Sequence, residues 1–300
     1  MNYFDEWINV YKPKNMSSFE VIRKIKKKFK ILKIGHAGTL DPNAEGVLPI
    51  AIDKTTKLIS LINNKTKKYE FQIKWGEQTT TDDKEGEVIS ISNNIPSKEI
   101  IERNLKHFIG ITMQRPPKVS AVKVNGKRAY QRFFNKEFFE IKKRPVKVYD
   151  LKFIDQPYDT ISTMKVECGK GFYVRSFARD LGDKLNTKAH IHSLKRVKVG
   201  NFNEKNSILL DDLLKISEMA DGIKGFHSSI SVLDDIPAFE IENKEMLENI
   251  SHGEKIKIDI FLTKSLIQND KKSYFATSKG KIISLGEIDG NFFQPRKVLL

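Results

Sequence analysis

The 300-residue chain has a single cysteine and no long apolar segment. Cys168 cannot form a disulfide within the chain, and no Cys/His spacing resembles a zinc site. We interpret Cys168 as a structural residue in a strand. No apolar run approaches the roughly 20 residues that cross a bilayer. Because the first residues also lack the order of a secretory signal, we expect a cytoplasmic protein without membrane association.

Acidic residues are scarce relative to basic ones, and the imbalance is uneven along the chain. The formal net charge is +15, and residues 1–207 carry 41 Lys and Arg against 23 Asp and Glu, a net of +18. Residues 208–237 have a net charge of −4, and residues 238–300 a net of +1. A basic globular surface favours a polyanion such as a nucleic acid or an anionic membrane surface. Solvated lysines in a lysine-rich chain explain the charge equally well.

The order of periodic segments predicts an α+β fold with a mixed or antiparallel sheet, because strands and helices do not alternate strictly. A capping-box spacing, Ser17 to Glu20, marks the start of the first helix. We expect a larger domain over 1–235 and a small β-rich domain over 236–300, where glycines break short strands. Helices are predicted near 17–30, 54–62, 97–108, 172–185 and 207–217, and strands near 69–75, 88–92, 138–142, 145–154, 161–168 and 190–199.

The segment 35–48, GHAGTLDPNAEGVL, is the densest in residues typical of a functional loop. Its three glycines permit tight backbone turns, and Pro42 favours an extended backbone at the residue before it. Such a loop can hold one carboxylate, that of Asp41, in a fixed position. It is not a phosphate-binding loop, since no G-x-x-x-x-G-K-[ST] follows. On these residues alone it could equally be an ordinary turn.

The same segment resembles the G-H-x-G-T-L-D-P-x-A-x-G-V-L signature of the TruB family of tRNA pseudouridine synthases, with every specified position matched. The resemblance covers about residues 8–200 and continues more weakly into a tail similar to a short PUA-type RNA-binding module. The chain departs from the family pattern at Tyr11, Asn15 and Thr80, and it lacks the Ala-Arg pair expected shortly after Tyr130. Further family-like motifs occur in the family's order: YKP at 11–13 with MSS at 16–18, KY at 68–69, PPKVSAVKVNG at 116–126, GFYVRSFARDLG at 171–182, and AH at 189–190 with LKR at 194–196.

The resemblance implies isomerisation of uridine to pseudouridine in tRNA, at uridine 55 of the T loop, with Asp41 as the catalytic residue. The reaction breaks an N–C glycosidic bond and forms a C–C bond to the same sugar without net redox change. No cofactor or metal is therefore expected. A carboxylate is a competent nucleophile or electrostatic stabiliser at such a centre. Asp41 could attack the sugar, attack the uracil, or assist elimination through a glycal.

Two further residues acquire roles from the resemblance. Arg175 is expected to pair with Asp41 through its guanidinium fork and to hold the pKa of Asp41 low. The target base must leave the RNA stack, and Tyr69 is expected to stack on the extruded uracil. Without the resemblance, Arg175 could be a surface ion pair and Tyr69 a core residue of an alternating strand.

The remaining assignments are substrate contacts. His36 resembles the residue that fills the gap left in the RNA, and Leu194 would cover the base as an apolar wall. Each also fits an ordinary structural role. Lys12, Lys123 and the basic side of the predicted helix, over 23–30, are candidate phosphate contacts, although any one lysine could simply be solvated.

The expected partner is the T stem-loop of tRNA, bound by a monomer without an obligatory protein partner. Two other functions fit parts of this pattern. One is an RNA-guided pseudouridine synthase acting in a multiprotein particle, which the lack of long lysine-rich tails disfavours. The other is a tRNA-folding chaperone whose catalysis is secondary. A basic protein of membrane surfaces is disfavoured, because no strongly amphipathic helix combines aromatic and lysine faces.

Overall fold

A computed structural model of the protein describes residues 6–217, 222–258 and 273–300. Strands dominate it, and most belong to two sheets. The described strands are β1 (Glu6–Lys12), β2 (Ile34–His36), β3 (Glu45–Ile52), β4 (Lys67–Trp75), β5 (Glu77–Thr79), β6 (Val88–Ile91), β7 (Gly110–Gln114), β8 (Lys123–Val124), β9 (Lys127–Arg128), β10 (Arg144–Tyr158), β11 (Ile161–Cys168), β12 (Ala189–Val199), β13 (Phe202–Asn203), β14 (Ile208–Leu209), β15 (Phe226–Ser228), β16 (Ala238–Glu240), β17 (Ile256–Lys257), β18 (Tyr274–Ser278), β19 (Lys281–Asp289) and β20 (Phe292–Val298).

Most helices are short and pack on the sheets, and two 3₁₀ turns, Asp53–Leu58 and Lys106–Phe108, adjoin them. No helix in the described ranges is long and apolar enough to span a membrane. The described α-helices are α1 (Ser18–Phe29), α2 (Ile59–Asn64), α3 (Lys98–Leu105), α4 (Ala129–Phe134), α5 (Val174–Lys184), α6 (Leu210–Lys215), α7 (Ser229–Val232) and α8 (Lys244–Ser251).

Helix α1 begins with the predicted capping box. The Ser17 hydroxyl accepts a hydrogen bond from the Glu20 backbone, and the Glu20 carboxylate accepts one from the Ser17 backbone at 2.8 Å. Both bonds satisfy N–H groups that a helix start would leave free. Val21 and Ile25 are buried, whereas the basic residues of the helix are exposed. The helix ends at Lys30, whose backbone is left-handed.

The larger sheet has eleven strands in the described residues, with the central order β14-β1-β3-β12-β4-β11-β10-β7. Most neighbours are antiparallel, but β12 runs parallel to β3 and β14 runs parallel to β1. The sheet is therefore mixed, which confirms the α+β class. Buried residues of β4 and β12 form one core with α5, and those of β1 and β3 form another with α1 and α6.

A second sheet, of five strands in the order β16-β18-β19-β20-β17, makes up the C-terminal part. Its own core includes Phe239 and Phe293, whose rings meet edge to face. A separate cluster joins it to the larger sheet, because Phe275 and Leu285 pack in the same buried group as Trp7. The β-rich tail predicted from its glycines is therefore confirmed.

The strand predicted near 138–142 is wrong. The segment has no regular structure, and Phe138 is 93% exposed. Its aromatic pattern favours a strand, but a strand requires a partner edge. The following strand, β10, pairs with β7 over Arg144–Val148 and with β11 from Val148 onward, and segment 138–142 pairs with neither.

Candidate active site

The Asp41 side chain lies in the loop between β2 and β3. Asp41 and Ala44 close a turn, in which the Ala44 backbone donates a hydrogen bond to the Asp41 carbonyl at 3.1 Å. Pro42 occupies the second position of this turn, which its fixed φ suits. The start of α1 holds the loop from the other side, since the Ser18 hydroxyl donates to the Leu40 carbonyl and accepts from the Leu40 amide at 3.0 and 2.9 Å. Asp41 is thus held on a braced backbone.

Lys12 braces the same loop from within and is not a phosphate contact. It is 0% exposed. Its ammonium donates to the carbonyls of Pro13, Met16 and Pro42 at 2.8, 2.5 and 2.9 Å. An ammonium has three protons, so no donor is left for RNA. The prediction that Lys12 contacts a phosphate is therefore wrong. Burial lowers the pKa of Lys12 to about 8.

Arg175, near the start of α5, binds Asp41 through two parallel contacts, as the resemblance implied. The Nε–Oδ2 distance is 2.9 Å and the Nη2–Oδ1 distance is 3.1 Å. The guanidinium also donates to the carbonyls of Thr81 and Val119, each at 3.0 Å, and Arg175 is 5% exposed. A two-point contact of this kind fixes the orientation of a carboxylate as well as its position.

The pKa of Asp41 is raised above its ordinary value, contrary to the expectation that Arg175 would hold it low. The largest cause is desolvation inside the cleft, where 39% of the side chain stays exposed. The Arg175 guanidinium acts in the opposite direction but does not cancel this effect, and the nearby charge of Asp83 adds to the rise. Asp41 is therefore more basic than an exposed aspartate.

A cleft with a volume of about 370 Å³ opens above Asp41. This size lies within the range of roughly 300–1,000 Å³ that is usual for ligand clefts. Tyr69 of β4 and Leu194 of β12 form part of its lining, as do Arg175 and Gly171. The structure therefore brings together with Asp41 three of the residues assigned from the sequence: Tyr69, Arg175 and Leu194.

Arg196 is a site residue to which the sequence assigned no role. It is 1% exposed and lines the cleft together with Tyr69, and its positive charge acts on the ionisation of that tyrosine. Its Nε donates to the Val47 carbonyl at 2.8 Å and its Nη2 to the Gly38 carbonyl at 2.9 Å. Arg196 thus connects the tyrosine to the loop that carries Asp41. Arg196 of β12 lies directly opposite Tyr69 of β4. This pairing would identify Arg196 as a site residue, but it depends on the strand register.

A β-bulge at His192 sets which residues of β12 face the cleft. Ile191 pairs with Ile73 of β4, but Ser193 pairs with Gln72, so His192 is an extra residue. Beyond the bulge, Leu194 pairs with Phe71. The extra residue reverses the alternation of the strand. Ile191 and Leu194 therefore face the same side of the sheet although they are three residues apart.

His36 ends β2, paired with Ile50 of β3, and is not among the residues that line the cleft. Burial, with a smaller effect of the Arg196 charge, lowers the pKa of His36 to about 4. The residue is therefore uncharged at neutral pH. Its proposed insertion into RNA stays a prediction.

The other candidate phosphate contacts lie on the surface. Lys123 is exposed in the β8–β9 hairpin, which has its own two-stranded sheet. The basic residues of α1 are exposed, and none has an ion-pair partner among the described residues. Both groups remain accessible to a polyanion.

A second buried ion pair lies behind Arg175. Arg179, one turn further along α5, contacts Asp82 at 2.6 Å and donates to the Arg115 carbonyl at 2.7 Å. Burial raises the pKa of Asp82 to about 6, although Arg179 acts against it. The pair joins the loop that contains Asp83 to the start of the segment 115–143. Neither Arg179 nor Asp82 received a role from the sequence.

Comparison of the chain with known proteins identifies its family. Residues 26–174 match the family described as TruB family pseudouridylate synthase (N terminal domain), and residues 175–229 match the tRNA pseudouridylate synthase B C-terminal domain. The tRNA pseudouridine synthase B of Caulobacter vibrioides is 36% identical over 295 residues, which covers 97% of this chain and 95% of that protein. The protein of the same name from Rickettsia bellii is 38% identical, with 97% of each chain covered.

Solved structures show the same fold at lower identity. The chain resembles one in the crystal structure of a Cbf5-Nop10-Gar1 complex, with a TM-score of 0.72 and 24% identity, over 99% of this chain and 85% of that one. Because relatives above 30% identity extend along nearly the whole chain and two adjoining family matches cover residues 26–229, the chain belongs to the TruB family and is a pseudouridine synthase.

Proposed function

We propose that the protein converts uridine 55 in the T loop of tRNA into pseudouridine, with Asp41 as the catalytic carboxylate. The observation that carries this proposal is the two-point contact of Arg175 with Asp41 at the floor of a cleft that Tyr69 and Leu194 also line. The names of the relatives, tRNA pseudouridine synthase B, support tRNA as the substrate.

The target base enters the cleft only after leaving the RNA stack. The uracil then lies on the Tyr69 ring, with Leu194 as an apolar wall beside it. This arrangement places the sugar carbon that loses and regains a bond against the Asp41 carboxylate. Arg175 prevents the carboxylate from rotating, so it meets the substrate in one orientation. A pKa raised by burial makes the ionised Asp41 a stronger nucleophile or base.

The remaining surface fits a long RNA substrate. Exposed cations of α1 and Lys123 are available for phosphates. Residues 236–300 act as a second RNA-binding domain after a catalytic domain over 1–235, and the second sheet supports this division. The protein acts as a monomer in the cytoplasm, where it meets its tRNA without a guide RNA.

The test is pseudouridine mapping on unmodified tRNA transcript incubated with the purified protein and no added cofactor. We expect one product, at uridine 55. A transcript with cytidine at position 55 is the matched substrate control, and it should yield no pseudouridine. Conversion at another uridine would overturn the assignment of the site.

Absence of product with tight tRNA binding retained would overturn the proposal in favour of one of the two other functions. Restoration of activity by a guide RNA and partner proteins would then indicate the guided enzyme. Acceleration of tRNA folding without any product would indicate the chaperone.

A further inference from the structure

Asp41 borders a second cavity, which Tyr69 does not line. Asp41, Arg175 and Leu194 line both this cavity and the cleft, whereas Tyr69 lines only the cleft. The second cavity has a volume of about 20 Å³, which is room for about one water molecule and not for a nucleotide. Its lining also contains Asp83, Ser193 and three further polar residues, Asn43, Lys84 and His192.

These three side chains have unused hydrogen-bonding capacity. The Nδ2 atom of Asn43 is buried without a hydrogen-bond partner among the described residues. Lys84 is exposed and has no ion-pair partner in the same ranges. His192 is the extra residue of the bulge, and bulges next to active sites commonly redirect a side chain. A buried donor without a partner, such as Asn43 Nδ2, requires an explanation such as a bound water.

The acidic residues of the cavity are already paired. Asp41 is bound twice by Arg175. Asp83 accepts a hydrogen bond from the Thr81 hydroxyl at 2.6 Å and lies 3.5 Å from Arg175. Their charges are therefore offset by Arg175, and Lys84 adds a positive charge without an ion-pair partner among the described residues.

The surroundings of His192 are electropositive. Burial lowers the pKa of His192, and Lys84, His190, Lys74 and Lys14 lower it further. Lys14 and Lys74 pair with Glu45 and Glu77, but Lys84 does not. An anion at this place would gain a favourable potential.

We propose that Lys84 and His192 bind a backbone phosphate that flanks the target uridine, and that a water in the cavity connects this phosphate to Asn43. The proposal rests on the proposed function, because it uses the position of the substrate sugar. With the uracil on Tyr69 and the sugar against Asp41, the adjoining phosphates must continue on the side away from the base. Lys84, His192 and Asn43 line the cavity that Asp41 borders and Tyr69 does not.

This subsite would position the sugar at Asp41. The nucleotide is then fixed at two points, by the phosphate contact and by the stacked base. These contacts hold the glycosidic bond at a constant position relative to the Asp41 carboxylate. Lys84, His192 and Asn43 are therefore positioning residues and not catalytic ones.

The experiment measures kcat and KM for pseudouridine formation on T-arm stem-loop RNAs that carry one neutral methylphosphonate. The replacement is made at each of the two phosphates flanking uridine 55, and as a control at a stem phosphate distant from it. With the unaltered protein, we expect replacement at one flanking position to lower kcat/KM about tenfold, the usual effect of losing one charged hydrogen bond.

For the double variant Lys84→Ala/His192→Ala, kcat/KM on unmodified RNA should fall by a similar factor. On the methylphosphonate RNA, kcat/KM of the double variant should equal that of the unaltered protein. Lys84→Arg in place of Lys84→Ala should restore part of the activity. Lys215 is an exposed lysine of α6 in the acidic segment of the chain. The matched control Lys215→Ala should change neither kcat nor KM. Equal losses by the double variant on both RNAs would overturn the subsite.

An NMR titration of His192 gives an independent result. Binding of the unmodified stem-loop should raise the pKa of His192, because a phosphate stabilises the imidazolium, and the methylphosphonate RNA should raise it less. An unchanged pKa would overturn the contact. Product at uridine 55 without coupling to either phosphate would overturn only the subsite, whereas absence of product on every RNA would overturn the proposed function.

Discussion

At the scale of single residues, the pair of Asp41 and Arg175 serves two opposed requirements. The carboxylate needs to be aimed, and Arg175 does this through two contacts. It also needs to be reactive, and burial raises its pKa against the effect of the arginine. An exposed aspartate paired with the same arginine would be oriented but less basic. The half-buried floor of the cleft provides both properties together.

Replacing Asp41 with asparagine should separate binding from chemistry. Asp41→Asn keeps the size of the side chain and one oxygen toward Arg175, but it loses the ionisable carboxylate. We expect kcat to fall on the order of 10³-fold or more, as for the loss of a nucleophile. The Kd for tRNA should change little. Single-turnover kinetics and filter binding on the same preparation check both values, and robust turnover by this variant would contradict the role of Asp41.

His36 should make the protein less stable in acid. Its pKa is about 4 in the fold and 6.5 when unperturbed, so between these pH values the unfolded chain binds the proton more tightly. The free energy of unfolding should therefore decrease as the pH falls from 6.5 toward 4. The slope from this residue is at most about 1.4 kcal/mol per pH unit. Denaturant unfolding of wild type and His36→Gln should show a shallower decrease in the variant.

The comparison between the two proteins is needed because other groups act in the opposite direction. Burial raises the pKa of Asp82 to about 6, so its protonation favours the folded state in the same range. Such contributions cancel when the slopes are subtracted. Identical slopes would show that His36 titrates normally in the folded protein.

At the scale of elements, the bulge in β12 explains why the site could be only partly predicted. The motifs of the sequence identified Asp41, Tyr69, Arg175 and Leu194, which the structure brings to one cleft. Strict alternation along β12 would have placed Ile191 and Leu194 on opposite faces. The single extra residue of the bulge places both side chains on the face of the sheet that carries Tyr69. No local pattern in the sequence predicts this bulge. The role of Arg196 was missed for the same reason, since it depends on the register.

Other differences arise from neighbours that are distant in sequence. Segment 138–142 has the composition of a strand but pairs with no sheet, and the strand that follows it, β10, pairs with β7 and β11. Lys12 has the residue type of a phosphate contact, but carbonyls from two loops surround its ammonium. Helix α1 was predictable within about one residue at each end, because its capping box and apolar spacing are local. Local features were therefore predictable, and packing was not.

Gly46 joins β3 to β12, and it should not tolerate a side chain. Its φ is +110°, and a Cβ would lie 2.2 Å from the Arg196 carbonyl oxygen. The parallel pairing with Arg196 would have to separate. We expect Gly46→Ala to lower the free energy of unfolding by about 3 kcal/mol or more. Chemical denaturation followed by circular dichroism measures this loss.

Gly253 provides the matched control. Its φ is +80°, but a Cβ there would meet nothing within 4 Å. Gly253→Ala should therefore cost only the backbone strain of about 1–2 kcal/mol. Equal losses in the two variants would mean that the close approach of β3 and β12 does not limit the residue at position 46.

At the scale of the whole molecule, charge should dominate the affinity for RNA. The net of +18 lies within residues 1–207, which include the cleft, α1 and the β8–β9 hairpin. Cations that neutralise phosphates release counterions, so the logarithm of the binding constant should fall linearly with the logarithm of salt concentration. Six or more contacts would reduce affinity about 10³-fold between about 50 and 200 mM salt. Equilibrium binding across this range checks the slope, and a flat response would contradict binding through the basic surface.

The chemical reactivity of the buried Lys12 ammonium can report on opening of the loop that holds Asp41. Amine-reactive reagents modify lysines that solvent reaches, and they require an unprotonated amine with a free lone pair. Lys12 is enclosed and its three protons are held by carbonyls, whereas most of the other lysines project outward. Brief acylation of the native protein should therefore leave Lys12 unmodified after the exposed lysines have reacted. Its appearance among modified peptides in mass spectrometry would then measure how often the loop that holds Asp41 opens.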